Sequence, residues 1–307
     1  MIREIHDVYD VIMKIIITAY GAQFLNYFGI DVEIDEILSV EIPSLSGKKR
    51  ILDFLCRLKD GSLLHIEFQF PKAYPQDKKR FFKYNITAEL RYEGTTETII
   101  INFTDSTPKD RIAIKIGESK KFLPKQFFIG DTDFNKILEK LIKKCEDNIK
   151  LTSNEEIGLM LMCLAVNCNN HFEKLKRITK LLQHENLFDK TKIGIIKIVI
   201  EIEIGKFITD DAERNRLIKK LGEIKMTEKE QKKFEYIIRQ SNEKYTIEIK
   251  EEGRKEGVKE GRKEGKKEGI EEVLYRLLKI MTPEEITQKL EYPPETIKQA
   301  YENYKTI

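Results

Sequence analysis

Residues 50–70 read RILDFLCRLKDGSLLHIEFQF, and the pairing register of this one hairpin decides the fold. Two apolar-rich runs flank Asp60-Gly61, a strong turn signal. Side chains alternate along a strand, so Asp53, Leu55 and Arg57 share one face of the first run, and His65, Glu67 and Gln69 share one face of the second. A two-residue loop of Asp60 and Gly61 pairs Leu58 with Leu63 and sends Asp53 and Glu67 to opposite faces. A three-residue loop of Lys59, Asp60 and Gly61 pairs Leu58 with Ser62 and sets Asp53 directly opposite Glu67. The second register is the one predicted. Such a loop ends on a left-handed residue, which Gly61 supplies without steric cost. It also collects Leu52, Phe54, Ile66, Phe68 and Phe70 on one buried face, whereas a slip of one residue would mix charges into the core.

Two carboxylates facing each other across adjacent strands suit a magnesium site, because magnesium takes oxygen ligands, keeps several waters and needs few protein groups. Asp53 and Glu67 are the candidate ligands. A bound metal lowers the pKa of a water and neutralises charge on phosphate oxygens, which is the chemistry of phosphodiester cleavage. Gln69 carries no charge; it suits orienting a water or hydrogen-bonding a phosphate. Asp7, ahead of the first helix, and Glu41, in the preceding strand-like run, are candidate accessory acids. His65 shares the face of Glu67 and reads as a polar strand residue. On this spacing alone, a hairpin with one solvated, charged face is the competing reading. Under the metal-site reading, Glu67→Gln abolishes cleavage and slightly raises stability, since neighbouring carboxylates repel.

The segment LDFLCRLKDGSLLHIEFQ resembles the core of the recombination-promoting nuclease and transposase-related family, within the PD-(D/E)XK nuclease superfamily. The resemblance rests on Asp53 as the upstream acid and on Ile66-Glu67-Phe68-Gln69. It extends to His6-Asp7 before an apolar helix, to Arg80, Lys83 and Tyr84 after the hairpin, and to Glu-Gly repeats near the end. It implies a PD-(D/E)XK-like mixed-sheet α/β nuclease core and Mg²⁺-dependent DNA endonuclease activity, with Mn²⁺ or Ca²⁺ as alternative ions. Its implied site is Asp53, Glu67 and Gln69, with DNA as partner. The superfamily pattern has lysine where Gln69 stands. Arg80 or Lys83 on the next helix could replace that cation, and both equally suit a solvated helix face. The rival function is a catalytically inactive, nuclease-derived DNA-binding or assembly protein.

The chain has 307 residues, 40% apolar and 35% charged, with a net charge of +3, so it is no polycation overall. Local charge is more telling: residues 72–91 hold six basic side chains against two acidic ones, which suits a phosphate backbone and, as readily, a solvated face. Cys56, Cys145, Cys163 and Cys168 contain no C-x-x-C pair. Cys163, Cys168 and His171 read as core or helix-end residues, so no zinc is expected. The cysteine usage, the acidic start MIREIHDVYD and the lack of a membrane-length apolar run point to a cytoplasmic protein without a membrane partner.

The chain divides into a nuclease-like core (1–130), a helical region (131–250) suited to packing and self-association as a homo-oligomer, a Gly/Lys/Glu-rich linker (251–269) and a small helical C-terminal module (270–307). Within the core, a helix over 7–28 broken near Gly21 precedes strands at 37–43, 50–58 and 63–70. A helix over 78–92, a buried central strand at TIIINF (98–103) and short strands at 112–116 and 126–129 follow. The linker has glycine every four residues. Each Glu-Lys pair at i,i+3 contributes about 0.3 kcal/mol and each glycine costs about 1 kcal/mol in a helix, so a hinge, or a helix formed only on association, is predicted. Thr282-Pro283-Glu284-Glu285 carries helix-start chemistry, and a turn before Pro294-Glu295 leads to a last helix. This pair reads as a docking module or a helix-turn-helix, the few basic residues favouring the former.

Overall fold

The computed structural model describes residues 7–43, 49–107, 113–116, 120–166, 168–222, 227–278, 281–290 and 294–305. Helix α1 (Val8–Tyr20) starts where Asp7 accepts the Asp10 N–H at 3.0 Å. It stops at Gly21, whose φ of +55° suits glycine, and α2 (Ala22–Tyr27) follows. A five-stranded mixed sheet comes next, in the order β1 (Ile34–Ile37), β4 (Phe54–Leu58), β5 (Leu63–Gln69), β6 (Thr96–Asn102), β9 (Lys125–Phe128). Strand β4 runs antiparallel to both β1 and β5; β6 runs parallel to both β5 and β9. Helix α3 (Pro75–Tyr92) is the crossover between β5 and β6. The fold is therefore mixed α/β.

The hairpin adopts the predicted register. Leu55 stands opposite His65 and Arg57 opposite Leu63, the Leu58 N–H reaches the Ser62 carbonyl at 2.8 Å, and Gly61 has φ +85°. Two predicted strands are interrupted, however. The run at 37–43 divides into β1 and β2 (Glu41–Pro43), and the run at 50–58 into β3 (Lys49–Ile51), which pairs with β2, and β4. The break in the second is a bend at Asp53, whose carboxylate takes the Phe68 N–H at 2.7 Å in place of a ladder carbonyl. That bend disturbs the alternation. Leu52 joins the cluster around Leu55 and Phe81 instead of the face of Phe54, and Phe70 is largely exposed. The strand predicted at 112–116 is β7 (Ile114–Ile116); it pairs with β8 (Lys120–Phe122), outside the main sheet, and Ile112 lies outside the described residues.

Both faces of the sheet are covered. On one, α3 packs Phe81, Tyr84 and Ala88 against Leu52, Leu55, Leu63 and Ile100. On the other, Phe54, Ile66, Phe68, Ile99 and Ile101 share a core with α1 and with helices α4 (Phe134–Glu146), α5 (Ser153–Leu161), α6 (His171–Leu181), α7 (Ile193–Phe207) and α8 (Asp211–Leu221). The helical region, whose sequence reads as a cap or a second domain, shares its core with the sheet: Met1–Tyr245 is one compact unit. Its apolar stripes have no core of their own, because they bury against the sheet.

The second unit is Thr246–Ile307. Helix α9 (Glu228–Leu278) runs through the glycine tract, so the predicted hinge at 251–269 is helical. A capping box at Thr227 and Glu230 starts α9. Its far end is held by Leu274, which packs with Ile286 of α10 (Pro283–Leu290) and with Ile297 and Ala300 of α11 (Pro294–Lys305). Packing at both ends supplies what the glycines withhold. A Cβ added at Gly257, Gly261 or Gly265 meets nothing within 4 Å. Replacing all three by alanine is expected to stabilise the helix by about 0.5–1 kcal/mol per site. Thermal denaturation followed by circular dichroism checks this, and an unchanged or lower midpoint would rule it out. Among the described residues, no helix is long and apolar enough to cross a membrane.

One residue of α7 breaks the usual rule for interiors. Glu203 is fully buried, and among the described residues neither carboxylate oxygen has a hydrogen-bond partner. Burial, helped by a nearby cysteine, pushes its carboxyl well above the ordinary range. A raised folded-state value costs stability as pH climbs from the ordinary carboxylate range toward that value. Glu203→Gln is therefore expected to stabilise the protein more at pH 8 than at pH 4. Equal differences at both pH values would contradict a buried, neutral carboxyl.

Candidate acidic site

The bend at Asp53, the end of β5, α1 and the part of α9 before Tyr245 meet around three carboxylates. Asp53 and Glu67 are 2% and 1% exposed, so this is an enclosed site, not the solvated face expected for a simple hairpin. Asp53 Oδ2 accepts the Phe68 N–H; Oδ1 receives the Lys244 ammonium, with Lys14 Nζ at 3.7 Å. Asp10 Oδ2 accepts from Lys14 at 2.8 Å and from the Ser241 hydroxyl. Asp10 Oδ1 is buried and has no hydrogen-bond partner among the described residues; Lys244 Nζ lies 4.0 Å from it. Lys14 thus bridges Asp10 and Asp53, and Lys244 sits over both.

Glu67 is held from the other side. Its Oε1 lies 2.9 Å from His65 Nε2 and 3.4 Å from the Asp53 N–H. His65 Nδ1 lies 3.3 Å from Thr98 Oγ1, which accepts from Asn85 Nδ2 at 3.1 Å. A carboxylate only accepts, so the proton facing Glu67 sits on Nε2, and Nδ1 meets the Thr98 hydroxyl, which can donate as well as accept. The imidazole is wedged edge-on against Phe81 and Tyr84. His65 is therefore an orienting partner of Glu67, more than the polar strand residue its position suggested.

The electrostatics split the acids. Burial opposes ionisation of Glu67, but the Lys244 charge and the His65 hydrogen bond outweigh it and hold its carboxyl below the ordinary range. Burial raises Asp10, with the Asp53 charge adding to it, against the pull of Lys14 and Lys244. A site in which neighbouring carboxyls are pushed apart in this way is suited to holding a cation or a proton.

The remaining sequence candidates fall at different distances from this centre. Gln69, half-buried, accepts from Arg80 Nη2 at 3.4 Å, and the Arg80 charge acts on Glu67. Lys83 is exposed on α3. Tyr84 is buried in the apolar cluster beside His65, so its ring serves packing. Asp7 caps α1, and burial and Asp10 raise its carboxyl. Glu41 takes a long hydrogen bond from Gln240 at 3.5 Å. Sequence reading passed over Asp10, Lys14, Ser241 and Lys244. The first pair left a signal, an acid and a base at i,i+4 within the apolar run of α1. Lys244 left none, lying 191 residues beyond Asp53.

The donor set can be tested against a divalent cation. All three acids offer carboxylate oxygens, the chemistry magnesium prefers, and Asp10 Oδ1 is buried without a donor. The ammonium groups of Lys14 and Lys244 hold the charge-compensating positions. Among the described residues, no three histidine, cysteine or acidic side chains stand together in metal-holding geometry with those lysines in place. The acids suit such an ion by donor chemistry alone, with the two ammonium groups in the positions its charge would take. Comparison with known proteins finds no family model, no curated protein and no solved structure that matches this chain.

Proposed function

We propose that this protein is a metal-dependent DNA endonuclease of the recombination-promoting nuclease type, with a PD-(D/E)XK-like core. The observation that carries the reading is the convergence of Asp53, Glu67 and Asp10 on compensating cations at the end of a β-hairpin, beside a basic helix. Magnesium, held by Asp53 and Glu67 with Asp10 alongside, would supply an activated water and charge neutralisation at the phosphate. His65 fixes the orientation of Glu67. Arg80 holds the Gln69 carbonyl, leaving the Gln69 amide protons to donate to a phosphate oxygen or a water. Lys14 supplies, from α1, the positive charge that a glutamine cannot. Lys79 and Lys83, exposed on α3, suit the phosphate backbone next to the site.

Nicking of supercoiled plasmid, with and without Mg²⁺, tests this for the wild-type chain and for Asp53→Ala. The expected result is Mg²⁺-dependent nicking that falls by at least ~10²-fold in the variant. A second reading has one specific observation in its favour: Lys14 and Lys244 already neutralise Asp10 and Asp53. In that reading the chain is a catalytically inactive, nuclease-derived DNA-binding or assembly protein, and it binds plasmid without cutting at any divalent ion concentration.

A further inference from the structure

A cavity of about 570 Å³ is lined by residues of α3, the start of β6, the end of β8 and the start of β9. That is the size of a small-molecule site, and the acidic centre makes no use of it. Asn85 of α3 and Thr96 and Thr98 of β6 give it polar lining. Asn85 and Thr98 are 9% and 3% exposed. Asn85 Nδ2 donates to the Thr96 carbonyl at 2.6 Å and to Thr98 Oγ1 at 3.1 Å. A backbone carbonyl only accepts, so the amide nitrogen faces β6 and both its protons are used. The Asn85 carbonyl oxygen is left with no hydrogen-bond partner among the described residues. Thr96 Oγ1 is buried and has none among them either. Thr98 leads on to His65 Nδ1 at 3.3 Å, and His65 to Glu67. Apolar lining comes from Phe122, whose ring packs on Phe82 with centroids 5.4 Å apart, and from Leu123, which is 59% exposed. Glu97 and Lys125, also in the lining, pair with each other at 3.3 Å and are both largely exposed.

These features select a ligand. An anion would face the negative end of the Asn85 carbonyl, and Lys125 is already held by Glu97. A wholly apolar molecule would cover that carbonyl and leave it without a donor, which is costly. A flat, neutral molecule with an N–H donor on its edge answers both kinds of lining: the edge meets Asn85, and the apolar faces meet Phe122 and Leu123. We propose that this cavity binds an amino-bearing nucleobase, whose exocyclic N–H donates to Asn85 Oδ1 while its ring covers Phe122 and Leu123. The bound base gives the Asn85 carbonyl its donor and takes an exposed leucine out of water. Nothing in this binding needs a metal or a cleaved phosphodiester, so it stands or falls apart from the endonuclease reading. The base comes from a free nucleoside or from an unpaired nucleotide of DNA; the recognising chemistry is the same.

Calorimetric titration of the whole chain with adenosine is expected to give a Kd on the order of 0.1 mM, which suits a ligand of this size. Purine riboside, the same nucleoside without the 6-amino group, is expected to bind at least about tenfold more weakly, because it leaves the Asn85 carbonyl unmatched. Leu123→Arg changes an exposed position of the lining. It is expected to weaken adenosine binding by at least about tenfold at an unchanged thermal midpoint, since it removes apolar contact and adds a charge. Side-chain NMR places the ligand: adenosine is expected to shift the ring signal of His65, which Thr98 joins to the lining, and to leave those of His171 and His184 in place. A duplex with one unpaired dA then separates the sources. Displacement of adenosine by it assigns the base to DNA, and no displacement assigns it to a free nucleoside; the site stands in both cases. The proposal is overturned by no binding at millimolar adenosine or by equal affinity for adenosine and purine riboside. It is also overturned by a Leu123→Arg variant that binds as wild type does, or by a His65 signal that adenosine does not move.

Discussion

Lys244→Met is expected to destabilise the metal-free protein by about 3 kcal/mol, the scale of losing one partner of a buried ion pair, and to make its stability more responsive to Mn²⁺ than that of the wild type. The Asp53 carboxylate is fully buried, and the side chain of Lys244 is 11% exposed. Methionine keeps most of the apolar stem, so the change isolates the ammonium. Without it, Lys14 alone faces Asp10 and Asp53, and the Lys244 charge that favours ionised Glu67 is gone. A divalent cation then has a site of unmatched carboxylates. At 100 times its Kd it returns about 2.7 kcal/mol. Urea denaturation of both proteins, with and without Mn²⁺, reads the effect. Wild type should gain less from the ion, because binding must first displace Lys244. Equal gains in the two proteins would mean that Lys244 does not compete for the cation position. Gln240, Ser241 and Lys244 of α9 reach Glu41, Asp10 and Asp53; under the proposed endonuclease reading, a DNA phosphate would meet the acids only once those contacts had been displaced.

Glu67→Gln is expected to abolish metal-dependent nicking and, contrary to the hairpin-level expectation, to lower stability at neutral pH. The hairpin suggested two repelling, solvated carboxylates. In the fold, Glu67 accepts from His65 and lies in the field of Lys244 and Arg80, so its charge is favoured. Removing it leaves buried donors poorly matched, at a cost of about 1–3 kcal/mol. The pH dependence has a definite sign. A folded-state value held below the ordinary one adds stability at pH above the ordinary carboxylate range, and that stability disappears as pH falls through the folded value. The gap between wild type and Glu67→Gln should therefore be widest near pH 7 and close in acid. This is a different trend from Glu203→Gln, whose benefit grows with pH. A gap that widens in acid would mean that Glu67 is not charged in the fold.

The hairpin register was legible because its determinants are local. Gly61 can take φ +85°, loop length then sets the partners of every residue to Asp53, and alternation does the rest. The helix break at Gly21, the start of α10 at Thr282 and the buried run of β6 were legible for the same reason: each depends on capping, φ or hydrophobicity within a few residues. The bend that divides the 50–58 strand was not, because it comes from the Asp53 carboxylate accepting a backbone N–H from the neighbouring strand. Nor was the burial of the site, which the hairpin pattern suggested was solvated. Asp10, Ser241 and Lys244 reach it from helices far along the chain, and no periodicity encodes a contact between positions 53 and 244. The glycine tract shows the same division. Propensity weighs each glycine against its own neighbours and predicts a hinge; packing at Phe234 and Ile237 before the tract and at Leu274 beyond it keeps α9 helical through it.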